Sequence, residues 1–298
     1  MIFNHQICLV GMNEGEACGL KSMKCRLDKI TVHYEIHGEG RPIIMLHGGG
    51  PDRRSMIGSM EPILRNLSGW QRVYPDLPGF GETLAEDWIS SSDDMLKVVL
   101  DFIDAIMPEQ RLVLVGESYG AYLARGIIHR RPKLVDGLLM ICPPVVMENE
   151  KRSLPKPVTL VRKFRPPSER YPVEAKMFDS FAVVITRRAW ERTLKEIFSG
   201  LLAADKALSG RLEANMHFSF NVDASPTVFD KPALIIAGRQ DSMVGYRDPW
   251  TMIEKFPRAT FAVLDRAGHN LHIEQEHLFN TLVKEWLNRV QENMQLSQ

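Results

Sequence analysis

Gly116-Glu117-Ser118-Tyr119-Gly120 sets a serine between two glycines, directly after the apolar run Arg111–Val115 and before the helical stretch Tyr119–Arg130. A sharp strand-to-helix turn strains the backbone at such a serine, and the glycines let neighbouring chain come close. The hydroxyl then lies at a helix N-terminus, where the dipole favours developing negative charge. A serine hydroxyl attacks a carbonyl only after a base takes its proton. His269 is the candidate base, in the turn-like stretch Asp265-Arg266-Ala267-Gly268-His269-Asn270 that follows a strand over Thr260–Leu264. A carboxylate is needed to orient that imidazole and stabilise its cation. Asp241 follows the apolar run Ala233–Ala237 through Gly238-Arg239-Gln240, at the C-terminal end of a strand. Catalytic groups collect at that edge in open parallel sheets. The chemistry these residues could do together is acyl transfer from a carbonyl substrate.

Charge on the attacked carbonyl oxygen needs donors. His47-Gly48-Gly49-Gly50-Pro51 follows the apolar run Ile43–Leu46, and its glycines can turn backbone N–H groups toward that oxygen. The N–H of Tyr119, the residue after the serine, is the second candidate donor. The loop fits neither of the phosphate-binding spacings GxGxxG and GxxxxGK[ST]. Asp265 is closer in sequence to His269 than Asp241 is, but it caps a strand on the approach to the turn. Glu148 and Glu150 follow the strand ending at Ile141 and are weaker alternatives for the acid. His47 reads as a loop organiser, and His272 and His277 as surface or capping residues at a helix start. Met216, His217, Phe218 and Phe220 are either core or the inner face of a lid, and Glu117 either touches substrate or holds the turn.

The elements that must position these groups follow from periodicity. Residues 24–27 and 30–36 alternate with period two around Asp28-Lys29, which predicts an antiparallel hairpin. The short apolar runs 43–46, 111–115, 138–141 and 233–237 fit parallel strands covered on both faces. Helix-period stretches over 95–107, 121–129 and 278–290 alternate with them, which argues a doubly wound α/β sheet. Between Pro143 and Lys231 the alternation stops: the chain is first proline-rich, then of helical period from about Val173 to Phe220. That pattern predicts a helical lid over 145–229, inserted into a core of 23–144 and 230–298. Residues 1–22 read as a loose extension, and their apolar patch has no basic region before it as a signal peptide would.

With these pieces in place the chain resembles the α/β-hydrolase fold family. HGGGP at His47, the Asp76-Leu77-Pro78-Gly79-Phe80-Gly81 turn, GESYG at Ser118, GRQD ending at Asp241 and AGHNLHIEQ around His269 stand in the family's order from about Lys24 to Leu287. The resemblance implies an eight-stranded, mostly parallel sheet with helices on both faces, a helical cap, and hydrolysis through an acyl-serine intermediate. By position it makes Ser118 the nucleophile, His269 the base and then acid, Asp241 the orienting acid, and Gly49 with Tyr119 the oxyanion donors. Asp76 would belong to a structural turn. Serine rather than aspartate at 118 disfavours the haloalkane dehalogenase and epoxide hydrolase branches. HGGGP is also similar to the loop of carbon–carbon bond hydrolases and to related loops of proline iminopeptidases, although the latter usually carry tryptophan where Tyr119 stands. The leading expectation is an esterase of small to medium carboxylic esters. A non-catalytic receptor on the same fold is the alternative from another class.

Composition narrows the partners. Lysine plus arginine number 37, as do aspartate plus glutamate, so the net charge of +0 predicts neither a nucleic-acid nor a membrane partner. Four cysteines (Cys8, Cys18, Cys25, Cys142) match no zinc spacing and suit a reducing cytoplasm. A small-molecule substrate, no metal or organic cofactor, and a monomer or homodimer are expected. One local departure stands against the neutral whole. Lys151, Arg152, Lys156, Arg162, Lys163, Arg165 and Arg170 face the single acid Glu169 over residues 151–170. These groups either form a solvated loop or, turned inward, favour an acidic substrate.

Overall fold

The computed structural model describes residues 22–224 and 228–296, so the expected extension over 1–22 lies outside the described residues except for Ser22. Strands β1 (Met23–Arg26) and β2 (Thr31–His37) form the predicted hairpin, closed by the Leu27 N–H donating to the Ile30 carbonyl at 2.9 Å. They are followed by β3 (Arg41–Leu46), β4 (Trp70–Pro75), β5 (Leu112–Glu117) and β6 (Val135–Ile141). After an insertion holding the short pair β7 (Val161–Arg162) and β8 (Val184–Ile185), the main sheet resumes with β9 (Ala233–Gly238) and β10 (Ala259–Leu264). The sheet has eight strands in the order β1-β2-β4-β3-β5-β6-β9-β10, antiparallel only where β2 meets β1 and β4.

Alternate residues of β3 explain the two layers. Ile43 and Met45 face a core with α1 (Arg53–Leu64), while Ile44 and Leu46 face one with α2 (Ser92–Ile106) and α3 (Tyr119–Arg130). All four are 0% exposed, and each such side chain contributes about 1.5–3 kcal/mol on burial. Helix α2 starts on a reciprocal cap in which Ser91 and Asp94 satisfy each other's backbone N–H groups. Strand β4 escaped the periodicity because Gln71 and Arg72 interrupt its apolar residues. Arg72 is nonetheless buried, its guanidinium paired with Glu61 of α1.

The long helical period expected from Val173 to Phe220 is not one helix. It is α4 (Pro172–Phe181), β8, α5 (Arg187–Thr193), a π turn over Leu194–Phe198, α6 (Ser199–Leu201) and α7 (Lys206–Ala214). Extended Ala182 ends α4, the Thr186 side chain caps α5, and Asp205 caps α7, so local capping overrides the periodicity. The pieces from α4 to α6 share their own core around Phe178, Trp190 and Phe198, whereas Leu208 and Leu212 of α7 pack into the core on the α2 and α3 side of the sheet. Short helices α8 (Arg247–Trp250) and α9 (Leu271–Glu274) precede α10 (Glu276–Gln295), whose Phe279, Val283, Trp286 and Val290 complete the α1 face.

Candidate active site

The strand order reverses between β3 and β5, one leading outward to β4 and the other to β6. Loops leaving the C-terminal ends of two strands at such a reversal open a crevice. Here those loops are His47–Gly50 and the turn at Ser118. Ser118 has φ 50°, in the left-handed region, at the junction of β5 and α3. Glycine is required on both sides: a Cβ on Gly116 would lie 2.4 Å from the Gly120 carbonyl oxygen, and one on Gly120 would lie 2.2 Å from that of Leu46. The Ser118 N–H donates to the Ile141 carbonyl at 2.8 Å, which ties the turn to β6.

His269 and Asp241 meet although 28 residues separate them, because β9 and β10 pair in parallel and send both loops to one edge. His269 Nδ1 donates to Asp241 Oδ2 at 2.9 Å. The other carboxylate oxygen accepts the N–H groups of Met243 at 2.8 Å and Val244 at 3.1 Å. Burial alone would raise the carboxyl pKa of Asp241, which is 0% exposed, but the His269 charge and these bonds hold it below its ordinary value. For His269 burial pulls down, and the charge and hydrogen bond of Asp241, helped by Glu117, carry it above its ordinary value. Ser118 and His269 line one cavity of about 590 Å³, together with Gly49 and Tyr119. Neither the Gly49 nor the Tyr119 backbone N–H has a partner among the described residues. The arrangement can therefore supply a hydroxyl, an oriented imidazole and two free donors at one cavity wall.

His47 is a loop organiser, as expected. The Leu77 N–H donates to its Nε2 at 2.9 Å, so Nδ1 carries the proton and donates to the Gly48 carbonyl at 2.8 Å. Asp76 holds a turn, accepting from the Glu82 N–H, the Arg53 N–H and the Arg53 guanidinium. Glu117 accepts the Gly48 N–H at 3.3 Å, and burial pushes its carboxyl up. Asp265 is exposed and bound to Gln240, away from His269. Glu148 and Glu150 stand at the cavity wall rather than beside the imidazole, and Glu148 pairs with Lys151 at 2.9 Å. His277 is exposed as expected, but His272 is buried among α9 and its neighbours, and burial pushes it down to about 3. Met216 lines the cavity, whereas Phe218 and Phe220 stack with each other against the core, and His217 is exposed.

Cys142 Sγ, Asp241 and His269 lie close enough to suggest a metal site, within 4.8 Å of one another. The thiol, however, donates toward the His269 carbonyl at 3.4 Å, and burial pushes its pKa well up, which opposes the thiolate a metal needs. Cys25 and Cys142 are both buried and free. No helix among the described residues is long and apolar enough to cross a membrane.

Two groups at or near the site are not singled out by the sequence: Arg152 is one of seven cations read together, and Glu274 has no assigned role. Arg152 turns inward to the cavity while most of its basic neighbours stay exposed, and Glu274, within the AGHNLHIEQ stretch, reaches both the His269 loop and β8. Only three-dimensional contacts distinguish them from other charged residues nearby.

This sheet order, the strained serine turn and the paired histidine and aspartate define a class of fold. The chain belongs to the α/β-hydrolase fold family, whose profile matches residues 41–276. Among curated relatives it is 28% identical over 267 residues to the pimeloyl-[acyl-carrier protein] methyl ester esterase of Shewanella woodyi, covering 87% of this chain and 98% of that one. It is 24% identical to the 2-hydroxy-6-oxononadienedioate/2-hydroxy-6-oxononatrienedioate hydrolase 2 of Pseudomonas putida, covering 87% and 92%. Among solved structures, an α/β superfamily hydrolase of Oenococcus oeni superposes with a TM-score of 0.84 at 30% identity, covering 91% of this chain and 100% of that one.

Proposed function

We propose that the protein is a serine esterase that cleaves small to medium carboxylic esters through an acyl-serine intermediate. Ser118 Oγ attacks the ester carbonyl as His269 Nε2 takes its proton. The N–H groups of Gly49 and Tyr119 receive the oxyanion, and His269 returns the proton to the leaving alcohol. Water, deprotonated by the same imidazole, then releases the acid. Asp241 keeps the Nδ1 proton in place and stabilises the imidazolium without itself being protonated. The observation that carries the reading is the strained Ser118 facing the same cavity as a histidine bonded to a fully buried aspartate. The relative named as a methyl ester esterase agrees with it. The segment 145–229 acts as the cap, contributing Leu201, Leu212 and Met216 to the cavity.

Ser118→Ala tests the reading. Turnover of a p-nitrophenyl acyl ester should vanish while the circular dichroism spectrum is unchanged, and a fluorophosphonate should label the wild type and not the variant. Unaltered turnover, or a wild type that resists the probe as a binding-only receptor would, refutes it.

A second reading, hydrolysis of a carbon–carbon bond beside a ketone in an acidic substrate, is favoured by Arg152. Its guanidinium lines the cavity, bonded to the carbonyls of Val146, Met147 and Met243 rather than to a carboxylate. Each terminal nitrogen keeps a second N–H for an anion. A charge-assisted bond of about 1.5–3 kcal/mol makes Arg152→Gln lower kcat/KM for an ω-carboxylated ester at least ~10-fold more than for its neutral analogue. Equal losses on both substrates refute an anion-recognising role.

A further inference from the structure

We propose that Glu274 is a positioning residue whose carboxylate ties the N–H of Gly268 to the N–H groups of Val183 and Val184, so that the His269 loop and the inserted segment hold their register as one body. The proposal rests on His269 acting as the base.

The loop carrying His269 is pinned residue by residue. Ala267 is held from both sides by Gln240, whose N–H donates to the Ala267 carbonyl at 2.9 Å and whose side-chain oxygen accepts the Ala267 N–H at 3.1 Å. His269 is held by Asp241. The peptide between them is held by Glu274, whose Oε2 accepts the Gly268 N–H at 2.6 Å. Of these three ties only that of Glu274 continues beyond the core. Its Oε1 accepts the N–H groups of Val183 at 2.7 Å and Val184 at 3.2 Å, at the start of β8 in the insertion.

All three partners are donors, so the site asks for a group that only accepts, and the ionised carboxylate is that group. That form predominates above about pH 7, to which burial pushes the Glu274 carboxyl up against these three bonds. An amide cannot replace it, because one of its two ends would present N–H to N–H. Gly268 is also a close-approach point. A Cβ there would lie 3.1 Å from Val183 Cγ2 and 3.4 Å from Glu274 Oε2, so the glycine lets β8 sit against the loop. The insertion has a separate tie to the core through Arg192, which donates to the carbonyls of His272 at 3.1 Å and Gly58 at 2.9 Å. That tie touches neither Gly268 nor Glu274, and it separates holding the insertion down from holding the histidine in place.

The test compares Glu274→Gln with Arg192→Gln in the full-length chain, reading kcat, KM and the rate at which a fluorophosphonate labels Ser118. Glu274→Gln should lower kcat and the labelling rate together by about 100-fold, the cost of an ångström-scale misplacement, with KM within about two-fold. Arg192→Gln should alter KM and leave kcat within about two-fold of wild type. Should Glu274→Gln fail to fold, Glu274→Asp keeps the charge but draws the carboxylate back by one methylene, so that it no longer spans Gly268 and Val183 together, and it should give the same kcat loss. Wild-type kcat in Glu274→Gln, a change confined to KM, or an equal kcat loss in Arg192→Gln overturns the positioning role. A wild type that fluorophosphonate does not label overturns instead the reading of His269 as base.

Discussion

Asp241→Asn is a substitution whose outcome the surroundings dictate. One carboxylate oxygen of Asp241 accepts the N–H groups of Met243 and Val244, and the other accepts His269 Nδ1–H. An asparagine amide has one accepting and one donating end. Turning its NH2 toward the two backbone donors would leave both unpartnered in a buried site, at about 1–3 kcal/mol each. The amide oxygen therefore stays with Met243 and Val244, and the NH2 faces His269. It can donate only to a bare Nδ1, so the imidazole carries its proton on Nε2, the nitrogen that must be free to deprotonate Ser118. Turnover should fall about 10⁴-fold, as when a triad histidine is locked in the wrong tautomer. That loss equals about 5.5 kcal/mol of transition-state stabilisation. The side chains are nearly isosteric and every backbone bond is kept, so near-UV circular dichroism should match the wild type. Steady-state kinetics on a p-nitrophenyl ester give the answer. A loss below ten-fold, or one confined to KM, refutes the role assigned to Asp241.

Other outcomes follow from the same structure. Because neutral His269 is the working form and its pKa is raised by Asp241, kcat/KM on a neutral ester should fall with acid along a limb centred above pH 6.5; a midpoint below that contradicts the assignment. Gly120→Ala drives a Cβ into the Leu46 and His47 carbonyls, and should cost about 1–3 kcal/mol in denaturant titrations while reducing kcat. Glu61, bonded by His37, Arg72 and Tyr74, is held at about 2 against the pull of burial, so Glu61→Gln should destabilise the fold by about 3 kcal/mol at neutral pH. The Glu61 contribution is full above the unfolded carboxyl value near 4.5 and is lost as pH falls through about 2, so the variant's deficit should shrink over that window. His37, which burial pushes down but the carboxylates of Glu35 and Glu61 raise to about 9, has the opposite sign: its contribution is full below about 6.5 and fades as pH rises through 9, which urea titrations at pH 7 and 10 would detect.

The groups at the centre of the site were legible because glycines and strand ends mark them locally. Gly116 and Gly120 announce a turn that only glycine can flank, and the runs before Asp241 and His269 announce strands that deliver both to one edge. What stayed hidden depends on contacts between distant segments. Strand β4 carries Gln71 and Arg72 within its apolar residues, and the partner that makes Arg72 buriable is Glu61 in another element. His272 reads as a surface residue from its place at a helix start, yet the packing of α9 encloses it. The insertion has helical periodicity throughout, and Ala182, Thr186 and Asp205 divide it by local geometry that periodicity does not report. Among the seven cations of residues 151–170, Arg152 faces the cavity because three carbonyls lie within its reach, and no spacing rule identifies it.

Core and insertion contribute different things to this cavity. Ser118, His269, Gly49 and Tyr119 come from loops at the ends of core strands, and the sheet fixes them to one another. Leu201, Leu212, Met216, Glu148 and Arg152 come from the segment between β6 and β9 and form much of the wall. Such a division allows pocket walls to change without moving the reacting atoms, provided something keeps the two parts in register. The neutral charge of the whole chain is accordingly a poor guide to selectivity, since an inward guanidinium would act on a bound anion more strongly than the exposed charges that balance it. Many contacts join the two parts, among them Arg188 with Glu276 and Arg211 with the Ile89 carbonyl, and the bond of the Glu274 carboxylate is made at the residue next to His269. A substitution in the wall that leaves Glu274 bonded should therefore alter which ester is preferred, whereas loss of that bond slows every substrate alike.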